Sequence, residues 1–124
     1  EYLKTTSINI YNTMAQIADD VGFILADLKL EFGLLDGKIT LGDSIGPDEY
    51  RLWPKDSFVI GKIQESYDKQ ILRDWLTANG YQKQFEDQRN AGEEPTAPQI
   101  PSEIIETITK RYVIAYEKLT GLSL

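Results

Sequence analysis

The clearest alternation of apolar and polar side chains lies between residues 24 and 32. Apolar residues occupy every second position there, and Asp27, Lys29 and Glu31 lie between them. Because successive side chains of a strand point to opposite faces, the pattern predicts one strand with an apolar face and a charged face. Solvated strand faces often have the same pattern, so the alternation by itself assigns no function.

A tight Asp-Gly turn follows, which predicts a hairpin whose returning strand ends on Asp43. A three-residue loop over 35–37 would put Lys29 opposite Asp43, with Glu31 diagonal to it, whereas a two-residue loop would turn Asp43 to the apolar face. We expect the three-residue loop because an unpaired carboxylate on a buried face is costly. Two carboxylates and a lysine on one hairpin suit Mg²⁺ and phosphate, since Mg²⁺ completes its coordination with water and substrate phosphates.

The first helix is predicted over residues 1–21, where apolar side chains recur at helical spacing. We expect its N-cap among the hydroxyl residues 5–7 and its end at Gly22. The helix and the hairpin together indicate an α+β fold, in which antiparallel strands pack against helices.

Two further helices are predicted in the second half of the chain. One covers residues 66–78 and ends at an Asn-Gly pair, and the other is capped by Ser102 and ends at Gly121. Residues 81–101 are polar and contain several prolines and glutamines. We expect them to form a long surface loop or a mobile flap.

Charged residues that lie off the apolar faces of the predicted elements are candidates for ligand binding. Asp48 and Arg51 lie in an expected loop over 44–55, where the alternatives are a local ion pair or a helix cap formed by Asp48. Three more charges, which solvation alone also explains, lie off the stripe of the second helix: Asp68, Lys69 and Arg73.

Composition narrows the class of protein. The chain has 124 residues, a length that suits one domain or part of one, and 41% of them are hydrophobic and 27% charged. A net charge of -7 argues against general nucleic-acid binding through a basic surface. The absence of cysteine and histidine leaves acid–base chemistry to Asp, Glu, Lys or Tyr. Since no signal peptide or long apolar run is present, we expect a cytoplasmic protein without membrane contact.

Residues 25–33 carry a specific resemblance. They read as two aliphatic residues, Asp, any residue, Lys, a hydrophobic residue and Glu-Phe-Gly, which resembles the second signature of the SAICAR synthetase family at all nine positions. Further segments are similar to the family in the same order: Leu41-Gly42-Asp43, Pro47-Asp48, Arg51-Leu52-Trp53, Ser66-Tyr67-Asp68-Lys69-Gln70 and Arg73-Asp74-Trp75-Leu76. The last two resemble the longer, yeast-like members.

The resemblance implies an ATP-dependent ligase of purine biosynthesis. Such an enzyme joins the carboxylate of carboxyaminoimidazole ribotide (CAIR) to L-aspartate through an acyl phosphate, with ATP and Mg²⁺. It implies that Glu31 and Asp43 hold the metal and act in catalysis together with Lys29. The residues implied to bind substrate are Lys29, Asp48, Arg51, Asp68, Lys69 and Arg73. Ser44 departs from the family, because many members have a second carboxylate there.

The resemblance further implies that residues 1–124 form the C-terminal lobe of a two-lobed fold related to kinases and ATP-grasp enzymes. The N-terminal lobe, with the family's first signature, would be a partner of this chain, and the fragment alone would be inactive. A homo-oligomer is compatible with the sequence. Two alternatives stay open, namely another ATP- and Mg²⁺-dependent phosphotransferase on the same scaffold and a non-catalytic acidic domain that binds a protein.

Overall fold

Helices and strands combine into an α+β fold in the computed structural model, which describes residues 1–47 and 49–124. The elements are α1 (Tyr2–Asp20), β1 (Phe23–Leu28), β2 (Glu31–Leu35), β3 (Lys38–Gly42), β4 (Tyr50–Pro54), α2 (Gln70–Ala78), α3 (Tyr81–Asn90) and α4 (Ser102–Thr120). Within the described residues, β1 pairs with β4 and β2 pairs with β3, both antiparallel. The predicted fold class is confirmed.

The core lies on one face of the β1–β4 sheet. Phe23, Leu25 and Leu52 are almost fully buried there, and Ala18 of α1 and Ala115 of α4 pack against them. The small side chains of these alanines let both helices approach the sheet closely. Because the core is packed in this way, truncation of a large core side chain leaves a cavity. A change from leucine to alanine at such a site costs about 2–5 kcal/mol. Because side chains alternate along a strand, the neighbours of Leu52 point away from this core.

Helix α1 ends where the sequence predicts and begins earlier than predicted. Gly22 follows the helix with φ of 87°, a left-handed conformation that glycine adopts at low cost. The expected N-cap among residues 5–7 is wrong, because α1 begins at Tyr2 and these hydroxyl residues lie inside it. Helix propensity therefore extends α1 toward the N-terminus, beyond the hydroxyl residues that would otherwise cap it.

The predicted single strand over residues 24–32 is broken in two. Strand β1 ends at Leu28 and β2 begins at Glu31. At the break, the backbone N–H of Lys29 donates a hydrogen bond of 2.7 Å to the carbonyl oxygen of Glu49. Lys29 thus continues the pairing of β1 with the segment before β4. The expectation that Lys29 lies opposite Asp43 is wrong, since alternation alone does not reveal which strand each half joins.

The β2–β3 hairpin has a two-residue loop instead of the predicted three-residue loop. Leu35 pairs with Lys38, and the two loop residues Asp36 and Gly37 have φ of 50° and 75°. Two central residues with positive φ match the right-handed twist of a hairpin. The expected penalty for burying Asp43 does not arise. The backbone of Asp43, just after β3, has φ of 61°. The carboxylate of Asp43 accepts a hydrogen bond of 2.8 Å from the backbone N–H of Ser44.

One face of this hairpin is apolar and exposed. Cross-strand pairing puts Phe32 beside Leu41 and Leu34 beside Ile39, and these four side chains share a face. Leu34 is 76% exposed and Ile39 is 42% exposed. We call this surface the hairpin face.

The C-terminal half has one more helix than predicted. Helix α3 occupies the first part of the expected loop over 81–101, because its residues are good helix formers although they lack an apolar stripe. Helix α2 begins at Gln70, four residues later than predicted, and α4 begins at Ser102 itself, so the expected cap by this serine is wrong. The predicted end of α4 at Gly121, with φ of 70°, is confirmed. No helix in the described ranges is long and apolar enough to cross a membrane.

Candidate functional site

A cavity of about 290 Å³ lies where β1, β4 and the start of α2 meet. Its lining residues are Asp27, Leu28, Lys29, Glu49, Tyr50, Arg51, Asp68, Lys69, Gln70 and Arg73. We call this cavity the phosphate pocket, for reasons that follow from its charges. Five of the six residues that the sequence implies for substrate binding line it. The sixth, Asp48, lies outside the described residues.

Arg51 is oriented by a side chain that the sequence analysis did not select. Antiparallel pairing sets Arg51 of β4 opposite Asp27 of β1. Its Nε donates a hydrogen bond of 2.8 Å to one carboxylate oxygen of Asp27, and its Nη2 donates to the other oxygen. These bonds hold the pKa of Asp27 below its ordinary value of 3.8 and raise the pKa of Arg51. The other guanidinium nitrogen, Nη1, has no partner among residues 1–47 and 49–124.

Lys29, which also lines the pocket, lies between two carboxylates. Its Nζ is 2.5 Å from Oε1 of Glu31 and 3.4 Å from Oε2 of Glu49. The hydrogen bond with Glu31 and the charges of both carboxylates raise the pKa of Lys29, so the amine stays protonated at neutral pH. Tyr50 lines the pocket beside it, and burial raises the pKa of its phenol. The lysine is therefore a fixed positive charge.

Asp68 forms the floor of the pocket. It is 2% exposed, accepts a hydrogen bond from the hydroxyl of Ser66, and accepts another of 2.6 Å from the backbone N–H of Gln70. The second bond satisfies a free N–H at the start of α2, as a capping carboxylate does. The side chain of Asp68 thus fixes the first turn of α2, and its direct contact with substrate stays a prediction.

The balance of charge in the pocket favours an anionic ligand. Lys29, Arg51, Lys69 and Arg73 outnumber the three carboxylates of the lining. Lys69 and Arg73 make no side-chain hydrogen bond or ion pair within the described ranges, so both are available to a ligand. Guanidinium and ammonium groups at one site are a typical arrangement for binding phosphate.

The two predicted metal ligands lie outside the lining of this pocket. Glu31 of β2 pairs with Gly42 of β3, and Asp43 follows Gly42 directly. Among the described residues, no group of three or more potential protein ligands surrounds a single point. Because successive residues alternate between the faces of a strand, the pairing of Glu31 with Gly42 does not place the Asp43 carboxylate on the same face as Glu31, so the expected position of the two carboxylates on one face is wrong. A single carboxylate still fits Mg²⁺ that arrives with a nucleotide, because water and phosphate oxygens then supply the remaining ligands. This donor set does not fit a tightly held metal bound by protein side chains alone.

Two pocket residues were missed at the sequence level. Asp27 was placed on the charged face of the strand without a role, and Glu49 was not considered as a partner of Lys29. The pairing of β1 with β4 is the signal that identifies both, and it joins positions more than twenty residues apart.

Comparison with known proteins decides the family. The sequence model of SAICAR synthetase matches residues 1–88. The chain belongs to the SAICAR synthetase family. The resemblance seen in the sequence is confirmed.

Two relatives carry the name phosphoribosylaminoimidazole-succinocarboxamide synthase. The protein from Nitrosopumilus maritimus is 75% identical over 123 residues, which are 99% of this chain and 45% of the relative. The protein from Corynebacterium urealyticum is 41% identical over 98% of this chain and 39% of its own length. The chain therefore spans less than half the length of these relatives.

Solved structures of the SAICAR synthetase family share the fold. The SAICAR synthase of Saccharomyces cerevisiae, in complex with SAICAR, has a TM-score of 0.72 and 33% identity over 100% of this chain and 40% of the yeast chain. A type-2 SAICAR synthetase in complex with ADP has a TM-score of 0.63 and 22% identity over 99% of this chain and 38% of its own length. At that identity, the second structure supports the fold alone.

Proposed function

We propose that this chain supplies the substrate pocket of an ATP-dependent ligase of de novo purine biosynthesis. The full enzyme joins the carboxylate of CAIR to the amine of L-aspartate and yields SAICAR, ADP and phosphate. The observation that carries the proposal is the convergence of Lys29, Arg51, Lys69 and Arg73 on one pocket. Support also comes from the yeast relative, which was solved with SAICAR. As an enzyme of this pathway, the protein is expected in the cytoplasm.

The cationic end of the pocket is suited to the ribotide phosphate. Arg51 is held by Asp27 through Nε and Nη2, and its Nη1 has no partner among the described residues, while Lys69 and Arg73 line the pocket at the start of α2. Because Asp27 holds the Arg51 guanidinium, this cation loses less conformational freedom when it binds a phosphate dianion than an unpaired side chain would. In this proposal Asp27 and Asp68 keep the cations in position.

The reactive carboxylate of CAIR belongs at the Lys29 end in this proposal. ATP transfers its terminal phosphoryl group to a carboxylate oxygen, which gives an acyl phosphate and ADP. The aspartate amine then attacks the carbonyl carbon, loses a proton, and phosphate leaves. Lys29 stays protonated and balances the negative charge of the carboxylate and of the acyl phosphate. The ion pairs of Lys29 with Glu31 and Glu49 hold it ready for this role.

Mg²⁺ and the ATP phosphates belong beside Glu31 and Asp43 in the same scheme. When bound, the metal would neutralise phosphate charge and orient the transferring group. The Lys29–Glu31 ion pair connects Glu31 to the phosphate pocket, and Asp43 follows Gly42, the residue that pairs with Glu31. In this scheme the protein places the carboxylates of Glu31 and Asp43 beside Mg²⁺, and it places the cations of the phosphate pocket around the anionic groups of CAIR.

We further propose that the remainder of the enzyme forms a second lobe that covers the hairpin face. Relatives are more than twice as long as the part that this chain matches. The exposed side chains of Leu34 and Ile39 on the hairpin face provide an apolar surface for such a lobe. On this basis, residues 1–124 form one lobe of the active site and are inactive alone.

A turnover assay of the full-length enzyme tests the proposal. With CAIR, L-aspartate and Mg²⁺·ATP, we expect one SAICAR and one ADP per CAIR consumed, measured by mass spectrometry and a coupled ADP assay. Omission of L-aspartate should abolish SAICAR formation. Transfer of phosphate to an inositol phosphate without ligation would identify a different phosphotransferase on this scaffold. The absence of both reactions, with no binding of Mg²⁺·ATP, would instead favour a non-catalytic acidic domain.

A further inference from the structure

Arg111 of α4 contacts the loop before α2, although it does not line the phosphate pocket. One guanidinium nitrogen, Nη1, donates a hydrogen bond of 2.5 Å to the carbonyl oxygen of Ser66. The other, Nη2, is 2.9 Å from Oε1 of Glu65, and the guanidinium carbon lies 5.3 Å from the centre of the Tyr67 ring. One side chain therefore holds three consecutive residues.

The clamped loop leads directly into the pocket. The hydroxyl of Ser66 donates to the buried carboxylate of Asp68, which accepts the backbone N–H of Gln70 at the start of α2. Lys69 and Arg73 reach the pocket from this same turn. A shift of the carbonyl group of Ser66 would consequently be passed through Asp68 to the two cations.

The same loop is attached to the strand that carries Arg51. The backbone N–H of Tyr67 donates a hydrogen bond of 2.9 Å to the carbonyl oxygen of Leu52, the neighbour of Arg51. The Tyr67 ring also packs on the buried ring of Phe23, with 5.2 Å between the ring centres. The loop is therefore fixed on one side by the sheet and on the other by Arg111.

We propose that Arg111 is a positioning residue of the phosphate pocket, because it sets the distance between the cations of α2 and Arg51 of β4. The inference rests on the proposed function only for the identity of the ligand. A planar guanidinium donates to a carbonyl and a carboxylate at once while it stacks on a ring, whereas a lysine amine cannot form all three contacts in one geometry. Lysine at position 111 should therefore preserve the charge and only part of the positioning.

The test uses the full-length enzyme with Arg111→Met, Arg111→Lys and the control Lys110→Met. Lys110 is the exposed neighbour on α4 and has no side-chain partner in the described ranges. We expect Arg111→Met to raise the KM for CAIR about tenfold through misplacement of the binding cations, and to leave the KM for Mg²⁺·ATP within about twofold. Arg111→Lys should lie between wild type and Arg111→Met, and Lys110→Met should match wild type.

Hydrogen exchange of the backbone amides at Tyr67 and Gln70 distinguishes positioning from general stability. We expect Arg111→Met to accelerate exchange at these two amides and to leave the amides of β1 unchanged. A lower melting temperature with an unchanged KM for CAIR would overturn the proposal, and so would an equal rise in both KM values. If Arg111→Met does not fold, the same comparison is made with Arg111→Lys.

Failure of the proposed function gives a different result. If the wild-type enzyme does not bind CAIR, the ligase assignment is wrong, and exchange alone then decides the positioning role. Faster exchange confined to residues 65–70 in Arg111→Met would support that role. Unchanged exchange at these residues would overturn it.

Discussion

Replacement of Arg51 by alanine should weaken ribotide binding far more than it weakens the fold. The side chains of Arg51 and Asp27 are 49% and 51% exposed. Exposed ion pairs contribute about 0–1 kcal/mol to stability, because water screens the charges and solvates them when the pair is broken. Asp27 remains partly exposed to solvent in the variant, so no buried unpaired charge results. We therefore expect Arg51→Ala to lower the free energy of unfolding by less than about 1 kcal/mol.

The expected loss of affinity is larger because the proposed contact is a direct one. Nε and Nη2 of Arg51 are engaged by Asp27, and Nη1, which has no partner in the part of the chain that the structure describes, is the proposed donor to the phosphate. A hydrogen bond to a charged group contributes about 1.5–3 kcal/mol. This range corresponds to a rise of about 10- to 150-fold in the Kd for CAIR.

Calorimetric titration of CAIR and urea denaturation of the same full-length variant provide the assay. Lys55→Ala is a matched control, since Lys55 forms an ion pair of 2.6 Å with Asp19 at similar exposure and lies outside the phosphate pocket. The control should show a similar small loss of stability and an unchanged Kd. A Kd within twofold of wild type in Arg51→Ala would refute the reasoning. A loss of stability above about 2 kcal/mol would also refute it, because such a loss exceeds what an exposed ion pair contributes.

Two other substitutions test the surroundings of the site. Arg51 holds the pKa of Asp27 in the folded state below 3.8, so the Asp27–Arg51 ion pair stabilises the fold at neutral pH and is lost as the pH falls through that lowered pKa. Asp27→Asn should therefore lower the free energy of unfolding at neutral pH and have little effect in acid. Urea denaturation should show a difference in unfolding free energy from wild type of less than about 1 kcal/mol at pH 7, shrinking below about pH 4, whereas a constant difference to pH 2 would contradict the assignment. Leu34→Ser in the full-length enzyme should cost about 1.5–3 kcal/mol if the second lobe covers the hairpin face. Leu35→Ser, on the opposite face, should cost less than about 0.5 kcal/mol, and equal small effects in urea denaturation would show that the face is not covered.

The sequence predicted which residues share a pocket better than it predicted the strand pairing that joins them. Lys29, Arg51, Asp68, Lys69 and Arg73 were all selected, and all line one pocket. Their selection depended on residue types in an ordered motif, which are independent of strand register. The family was predicted for the same reason, whereas the α+β class followed from the helical spacing of α1 and the alternation of the strands.

Strand pairing was not predicted because it depends on contacts between distant parts of the chain. The motif that reads as one strand supplies two, and its first half pairs with β4, which follows more than twenty residues later. Asp27 and Glu49 acquire their partners only through this pairing. Local alternation reports which residues share a face and does not report the neighbouring strand.

The hairpin shows how an assumption about burial changes a prediction. The three-residue loop follows from the assumption that residues 1–124 themselves cover the apolar face. In the described residues that face is exposed at Leu34 and Ile39, and the Asp36-Gly37 turn adopts the two-residue form. The Asp-Gly pair predicts the loop length better than the burial argument does, because two adjacent residues with positive φ define the favoured two-residue hairpin loop.

Separate binding of the two substrates tests the central claim most directly. Titrations of CAIR and of Mg²⁺·ATP into full-length wild type, Arg73→Met and Glu31→Gln would be compared. The account predicts that Arg73→Met raises the Kd for CAIR about tenfold or more and leaves the Kd for Mg²⁺·ATP unchanged, because a phosphate contact is lost. Glu31→Gln should weaken Mg²⁺·ATP and leave CAIR binding within about threefold, because a metal ligand is lost. If both folded variants bound both ligands as wild type does, neither the pocket nor the hairpin carboxylate would be part of the active site.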